Sequence, residues 1–149
     1  MRADSGHIQN VAQLLLVEDN PADARLMREA LARLPREVVL TVAQDGEQAL
    51  VRLQPGALLP DLILLDLNLP VMNGHELLQV LKRDTRLQMI PVVVMTTSQA
   101  DSDVELAYVL GASAYVLKPL QLDVFFQLIA ALSTFWLDHV RFASPEVNK

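Results

Sequence analysis

With 149 residues, 52% of them apolar and none of them cysteine, the chain is long enough to bury one sizeable core without a disulfide or zinc staple. Its 18 acidic against 12 basic side chains leave a formal charge of -6, which speaks against gripping a nucleic-acid backbone, and the missing cysteines exclude thiolate catalysis, zinc fingers and redox motifs. No apolar run approaches the roughly 20 residues of a membrane span, and no apolar segment of signal-peptide length follows Met1-Arg2, so the expected location is the cytoplasm.

After a polar stretch with Asp4, Ser5, Gly6, Gln9 and Asn10, the run Leu14–Val17 reads as a first strand. Asn20-Pro21 pairs an N-cap residue type with proline at the first helical position, opening a helix over Ala22–Leu34 that carries Leu26, Ala30 and Leu34 on one face before Pro35 closes it. Val38–Val42 is a second strand, Gly46–Leu53 a helix, and Leu62–Leu65 a third strand. Leu77, Leu78 and Leu81 mark a helix over His75–Lys82, followed by a fourth strand at Val92–Met95. Ser102–Leu110 gives a helix ending at Gly111, a C-cap type, and Tyr115–Leu117 a fifth strand. Each apolar run is too short for a helix and is expected to be buried on both sheet faces.

Strands alternating with helices imply parallel pairing through right-handed crossovers, hence a doubly wound α/β fold. No internal repeat, low-complexity segment or long linker divides the chain, so residues 1–11 are expected as a tail, 12–141 as one domain and 142–149 as a second tail, with no output domain. From Leu122 to about Val140 the last helix carries two apolar stripes. Phe125, Leu128, Ile129, Leu132 and Trp136 are expected to pack on the sheet, whereas Phe126, Ala130, Leu137 and Val140 are expected to form a second surface for a symmetric homodimer.

Glu18 and Asp19 follow the first strand and Asp66 the third. In a sheet ordered 2-1-3-4-5 the strand order reverses between strands 1 and 3, and ligands bind there, beyond the carboxyl ends. Three carboxyl groups meeting in that crevice would repel unless a hard dication such as Mg²⁺ compensates them. Lys118 after the fifth strand and Thr96-Thr97 after the fourth bring a cation and hydroxyls to the same rim, both suited to phosphoryl oxygens. His7, His75 and His139 lack metal-ligand spacing.

Glu18-Asp19, Asp66 in the run Leu64–Pro70 followed by Met72-Asn73-Gly74, Thr96, and Gly111–Tyr115 leading into Lys118-Pro119 together resemble the receiver domain of two-component response regulators over about residues 12–135. The resemblance implies a flavodoxin-like five-stranded parallel sheet with five helices, here with an extended C-terminal helix. It also implies Asp66 as phosphoacceptor, with Mg²⁺ held by Asp19, by Glu18 through water, by Asp66 and by the backbone carbonyl of Asn68. Lys118 and Thr96 would bind the phosphoryl group; Thr96, not Thr97, keeps the family spacing of 22 residues before Lys118. Tyr115 matches an aromatic switch position, although core packing explains such an aromatic equally well, and Lys118-Pro119 would be a cis peptide. The donor would be a sensor histidine kinase, and slow self-dephosphorylation would reset a face made by helix 4, strand 5 and helix 5. The ending Phe135-Trp136-Leu137 further resembles small response regulators that partner cyanobacterial phytochrome histidine kinases.

Three other readings compete. A haloacid-dehalogenase-type phosphatase also uses an Asp after a strand with Mg²⁺, but its acid/base two positions on is here Asn68. A flavodoxin-like cofactor binder would need a glycine-rich phosphate loop where Glu18-Asp19-Asn20-Pro21 stands. A docking or dimerisation module independent of phosphorylation would not need the acidic and basic groups that the chain retains.

Overall fold

The computed structural model describes residues 11–139; the two expected tails, apart from Val11, and Val140 of the expected dimer stripe lie outside the described residues. In chain order it contains β1 (Ala12–Val17), α1 (Pro21–Ala32), β2 (Val38–Ala43), α2 (Gly46–Arg52), β3 (Leu62–Leu65), α3 (Gly74–Arg83), β4 (Val92–Thr96), α4 (Asp101–Val109), β5 (Ala114–Leu117) and α5 (Leu122–Leu132), which continues as a π-helical segment over Ser133–His139. The strands pair in parallel in the order β2-β1-β3-β4-β5, the expected doubly wound sheet.

The two-residue alternation of β1, β3 and β4 divides the core between the faces. Leu15, Val17, Ile63, Leu65, Val92 and Val94 pack with Leu77, Leu78 and Leu81 of α3, Ala49 of α2 and Ala107 of α4. On the other face Leu14, Leu16, Leu62, Leu64, Val93 and Met95 meet Met27, Ala30 and Leu31 of α1 and Phe125 and Ile129 of α5. Each fully buried Val, Leu, Ile, Met or Phe among them contributes about 1.5–3 kcal/mol. Burial on both faces holds for β1, β3 and β4 but not for β2 and β5, whose side chains are mostly half-buried because these strands form the sheet edges. Helix α1 is seated on Met27, Ala30 and Leu31, with Leu26 and Leu34 at the margin of that contact.

The caps that set the loops are encoded locally. Asn20 Oδ1 accepts the N–H groups of Ala22 and Asp23 at the start of α1, with Pro21 as the first helical residue. Asn73 and Glu76 form a reciprocal capping box at α3. Helix α4 ends in a Schellman motif: Gly111, at φ 109°, donates to the carbonyl of Tyr108, and Ala112 donates to that of Ala107, which turns the chain into β5.

Beyond β3 the chain makes two tight turns, with Leu69 N–H on Leu67 O (3.1 Å) and Met72 N–H on Pro70 O (2.7 Å). The second is a γ-turn centred on Val71, the non-glycine residue with positive φ (65°) among the described residues. Gly74 then returns to donate to Leu67 O at 3.0 Å. The Lys118–Pro119 bond is trans, contrary to the expected cis peptide, since no cis bond occurs among the described residues. Even before proline the trans form is favoured by about 0.5–1 kcal/mol.

A Cβ added at Gly74 would stand 2.4 Å from the carbonyl oxygen of Asp66 and 2.7 Å from Leu67 Cα. Both are backbone atoms that cannot move aside without shifting the loop after β3. Gly74→Ala is expected to lose about 1–3 kcal/mol of stability, read as a lower urea midpoint at unchanged slope; a variant within 0.5 kcal/mol of the parent would contradict this close approach.

Candidate phosphoacceptor site

Register places the acids. Val17 pairs with Leu65, so Glu18 and Asp66 leave the sheet side by side, with Glu18 N–H on Ala43 O (2.9 Å) and Asp66 N–H on Val17 O (3.1 Å). Thr96 pairs with Leu117, and Lys118 N–H donates to Thr96 O at 2.8 Å, bringing the lysine to the same edge from two strands away.

The side chains converge on one ammonium. Lys118 Nζ donates to Glu18 Oε1 at 2.9 Å, Asp23 Oδ2 at 3.0 Å and Asp66 Oδ2 at 3.1 Å. Glu18 is 4% exposed and Asp66 8%, so both carboxylates have left bulk water. Their second oxygens are held by backbone amides: Asn20 N–H reaches Glu18 Oε2 at 3.1 Å, and Asn68 N–H reaches Asp66 Oδ1 at 3.2 Å. Behind the lysine lies a cavity of about 110 Å³ walled by Leu26, Met27, Met95, Phe125 and Leu122, an apolar surround that strengthens charge interactions at its mouth.

The electrostatics follow from this burial. Desolvation pushes the Glu18 carboxyl above its ordinary 4.5, and the neighbouring Asp66 charge adds to it, despite the hydrogen bonds and charge of Lys118 acting the other way. Burial by itself would lower the Lys118 ammonium, but the hydrogen bond to Glu18, the charges of Asp66 and Glu18 and the bond to Asp23 outweigh it and hold the lysine firmly protonated.

The expected three-carboxylate convergence is modified. Asp19 is exposed, and among the described residues no three acids or histidines stand grouped as an assembled metal site. Like charges keep apart, and the Lys118 ammonium draws Glu18 and Asp66 to itself. In place of Asp19 the third acid on Lys118 is Asp23, which sequence reading passed over because an acid in the first turn of a helix has a sufficient role there. Its position four residues after Asp19, across the crevice mouth, was the available signal.

Thr96 is 0% exposed at the end of β4, whereas Thr97 is exposed. Tyr115 is half-buried against the α2–α3–α4 face, its hydroxyl donating to Ser98 O at 2.9 Å beneath the β4–α4 loop. Burial first, then the charges of Asp103 and Asp66, push its hydroxyl above the usual tyrosine range, with hydrogen bonding from the Ser98 side chain acting the other way. Asn68 is exposed beside Asp66.

The expected dimer stripe is partly used within the chain. The Arg33 guanidinium lies 4.0 Å from the centre of the Phe126 ring, and Arg36 donates to Leu137 O at 2.9 Å and to the Asp138 carboxylate. Phe126 and Leu137 are therefore half-buried against α1, because α1 and α5 lie on the same sheet face.

Residues 14–130 match the family described as response regulator receiver domain. The chain is 39% identical over 149 residues to the probable methanogenesis regulatory protein FilR2 of Methanothrix harundinacea, covering 95% of this chain and 96% of that protein. It is 39% identical over 132 residues to response regulator Rcp1 of Synechocystis, covering 85% and 90%; the crystal structure of the Mn²⁺-bound form of Rcp1 aligns at a TM-score of 0.82 and 38% identity over 89% of this chain and 99% of that one. The phosphorylated cyanobacterial phytochrome response regulator RcpA aligns at 0.85 and 39% identity, covering 90% of this chain and 99% of that one. The likeness runs from β1 into α5 and includes the edge where Asp66 and Lys118 meet, and the chain belongs to the response regulator receiver family.

Proposed function

We propose that this receiver accepts a phosphoryl group onto Asp66 from the phosphohistidine of a cytoplasmic sensor histidine kinase of the phytochrome type, with Mg²⁺ as cofactor. The observation that carries the reading is the buried Asp66 carboxylate, one oxygen on the Asn68 amide and the other on the Lys118 ammonium. Family membership sets aside the phosphatase alternative, which Asn68 already disfavoured. The phytochrome assignment draws on RcpA, described as a phytochrome response regulator, and on the likeness to Rcp1.

The site residues fit a hard dication: Glu18, Asp19 and Asp66 offer carboxylate oxygens and Asn68 its backbone carbonyl, and the acids around the crevice outnumber the one ammonium. When bound, Mg²⁺ supplies charge neutralisation and polarises the phosphoryl oxygens. An Asp66 oxygen attacks phosphorus; the N–P bond breaks, its electron pair remaining with the donor imidazole, and an O–P bond forms. Lys118 aims an N–H at the incoming group, and the Asn68 amide fixes the attacking carboxylate, so catalysis is positioning plus electrostatics. Water later cleaves the acyl phosphate, making the domain a slow self-phosphatase.

The new dianion is read by Thr96, whose hydroxyl donates to it, and by Tyr115, whose anchorage on Ser98 O ties it to the same β4–α4 loop. Their rearrangement reshapes the face of α4, β5 and α5. Homodimerisation uses the last helix and its extension, where Phe135 is 55% exposed and Phe126 and Leu137 are half-buried.

Intact-mass analysis with acetyl phosphate and Mg²⁺ should show one added phosphoryl group, lost on standing and absent from Asp66→Asn; single labelling that persists in the variant would place the acceptor elsewhere. Because the Glu18 carboxyl is raised in the fold, the native state holds that proton more tightly than the unfolded chain, and metal-free stability should fall as pH rises from about 4.5 through the folded value. Glu18→Gln should flatten that fall and weaken the Mg²⁺-induced rise in Tm at pH 7 several-fold in concentration; an unchanged profile would deny Glu18 both roles. Light scattering at tens of micromolar should give a dimer that Phe135→Asp with Leu137→Asp converts to a folded monomer, whereas a wild-type monomer would end the dimer reading.

A further inference from the structure

Lys118 meets three acids, and the phosphoryl chemistry accounts for only two of them. Asp66 is the acceptor and Glu18 belongs to the metal-binding set, whereas Asp23 lies on α1, across the mouth of the crevice. An ammonium has three N–H donors, and here each faces one carboxylate within 3.1 Å.

Asp23 is itself firmly placed. It is the third residue of α1, its own N–H donates to Asn20 Oδ1 at 3.3 Å, and Pro21 fixes the backbone before it. The positive end of the helix dipole favours its charge. The lysine is otherwise a long flexible stem projecting from the end of an edge strand, which would have to be ordered during the reaction. The Lys118 side chain is 15% exposed and that of Asp23 33%, so their ion pair is more sheltered than an ordinary surface contact.

Resting on the reading of Asp66 given above, we propose that Asp23 is a positioning residue for phosphoryl transfer: it anchors the Lys118 ammonium from α1, so that the N–H facing Asp66 is already aimed where the phosphoryl oxygen arrives. As the donor N–P bond breaks and the Asp66 O–P bond forms, that single N–H passes from the Asp66 oxygen to a phosphoryl oxygen. The bonds to Glu18 and Asp23 persist, and no proton leaves the lysine. Asp23 touches neither phosphorus nor, in this role, the metal; it acts through Lys118, shortening the search for the reactive geometry.

The test compares initial rates of phosphoryl mass gain from acetyl phosphate at saturating Mg²⁺ in wild type, Asp23→Ala and Asp23→Asn, each repeated with Lys118→Ala over longer incubations. Mg²⁺ titrations by calorimetry and thermal melts accompany them. Asp23→Ala should slow labelling about three- to tenfold, in the range for one partly sheltered charge-assisted bond. Asp23→Asn, which keeps an oxygen acceptor in place, should recover most of that rate, although both variants remove the same charge and should weaken Mg²⁺ binding alike. With Lys118→Ala the Asp23→Ala change should add nothing, since the two residues act as one unit. Wild-type labelling rates in Asp23→Ala, an equal loss without Lys118, or an Asp23→Asn variant as slow as Asp23→Ala would each overturn the proposal. A wild type that gains no phosphoryl mass would instead refute the assignment of Asp66.

Discussion

Parallel pairing of β1 with β3 forces two acids to emerge beside one another, since Glu18 and Asp66 each directly follow a paired residue. Neither can retreat into water, because the apolar alternation of both strands buries the sheet up to its last residue. A buried carboxylate pair of this kind needs a compensating cation, and the fold supplies one from β5, on the far side of β4. The Lys118 ammonium is thus both a structural counter-ion and the group best placed to greet a phosphoryl dianion. Burial raises the Glu18 carboxyl, the Asp66 charge adding to it, and the excess of acids over the one ammonium makes the crevice receptive to a dication.

Much of this was legible in the residues because it depends on local rules. Runs such as Leu62–Leu65 and Val92–Met95 are too short and too uniformly apolar to be anything but inner strands, and Asn20-Pro21 announces a helix start. Placing Asp66 and Lys118 at strand ends then follows from the fold class. The unread parts depend on tertiary neighbours. The half-exposure of β2 and β5 follows from sheet order rather than composition, and the seating of α1 on Met27 and Leu31 depends on the sheet and α5 side chains it meets. Asp23 looked like an ordinary first-turn acid until Lys118 was seen to reach it from 95 residues away. Arg33 and Arg36, which no local pattern ties to the last helix, cover Phe126 and hold the Leu137 carbonyl.

Those contacts give α1 a double attachment. Its first turn holds the active-site lysine through Asp23, while Arg33 near its last turn and Arg36 in the following loop grip α5 and the π-helical segment beyond it. A rigid helix with one end on the reacting group and the other on the proposed dimer element can bias both with a single small displacement, without rearranging the central strands.

The γ-turn at Val71 has a consequence of its own. A β-branched residue at positive φ costs roughly 1–2 kcal/mol relative to its relaxed backbone, and glycine would occupy the same place without that cost. The turn lies between Asp66, the proposed phosphoacceptor, and the Asn73 capping box, so it is clamped at both ends while its side chain is exposed. Because the strained side chain packs on nothing, Val71→Gly would remove that cost without disturbing either clamp.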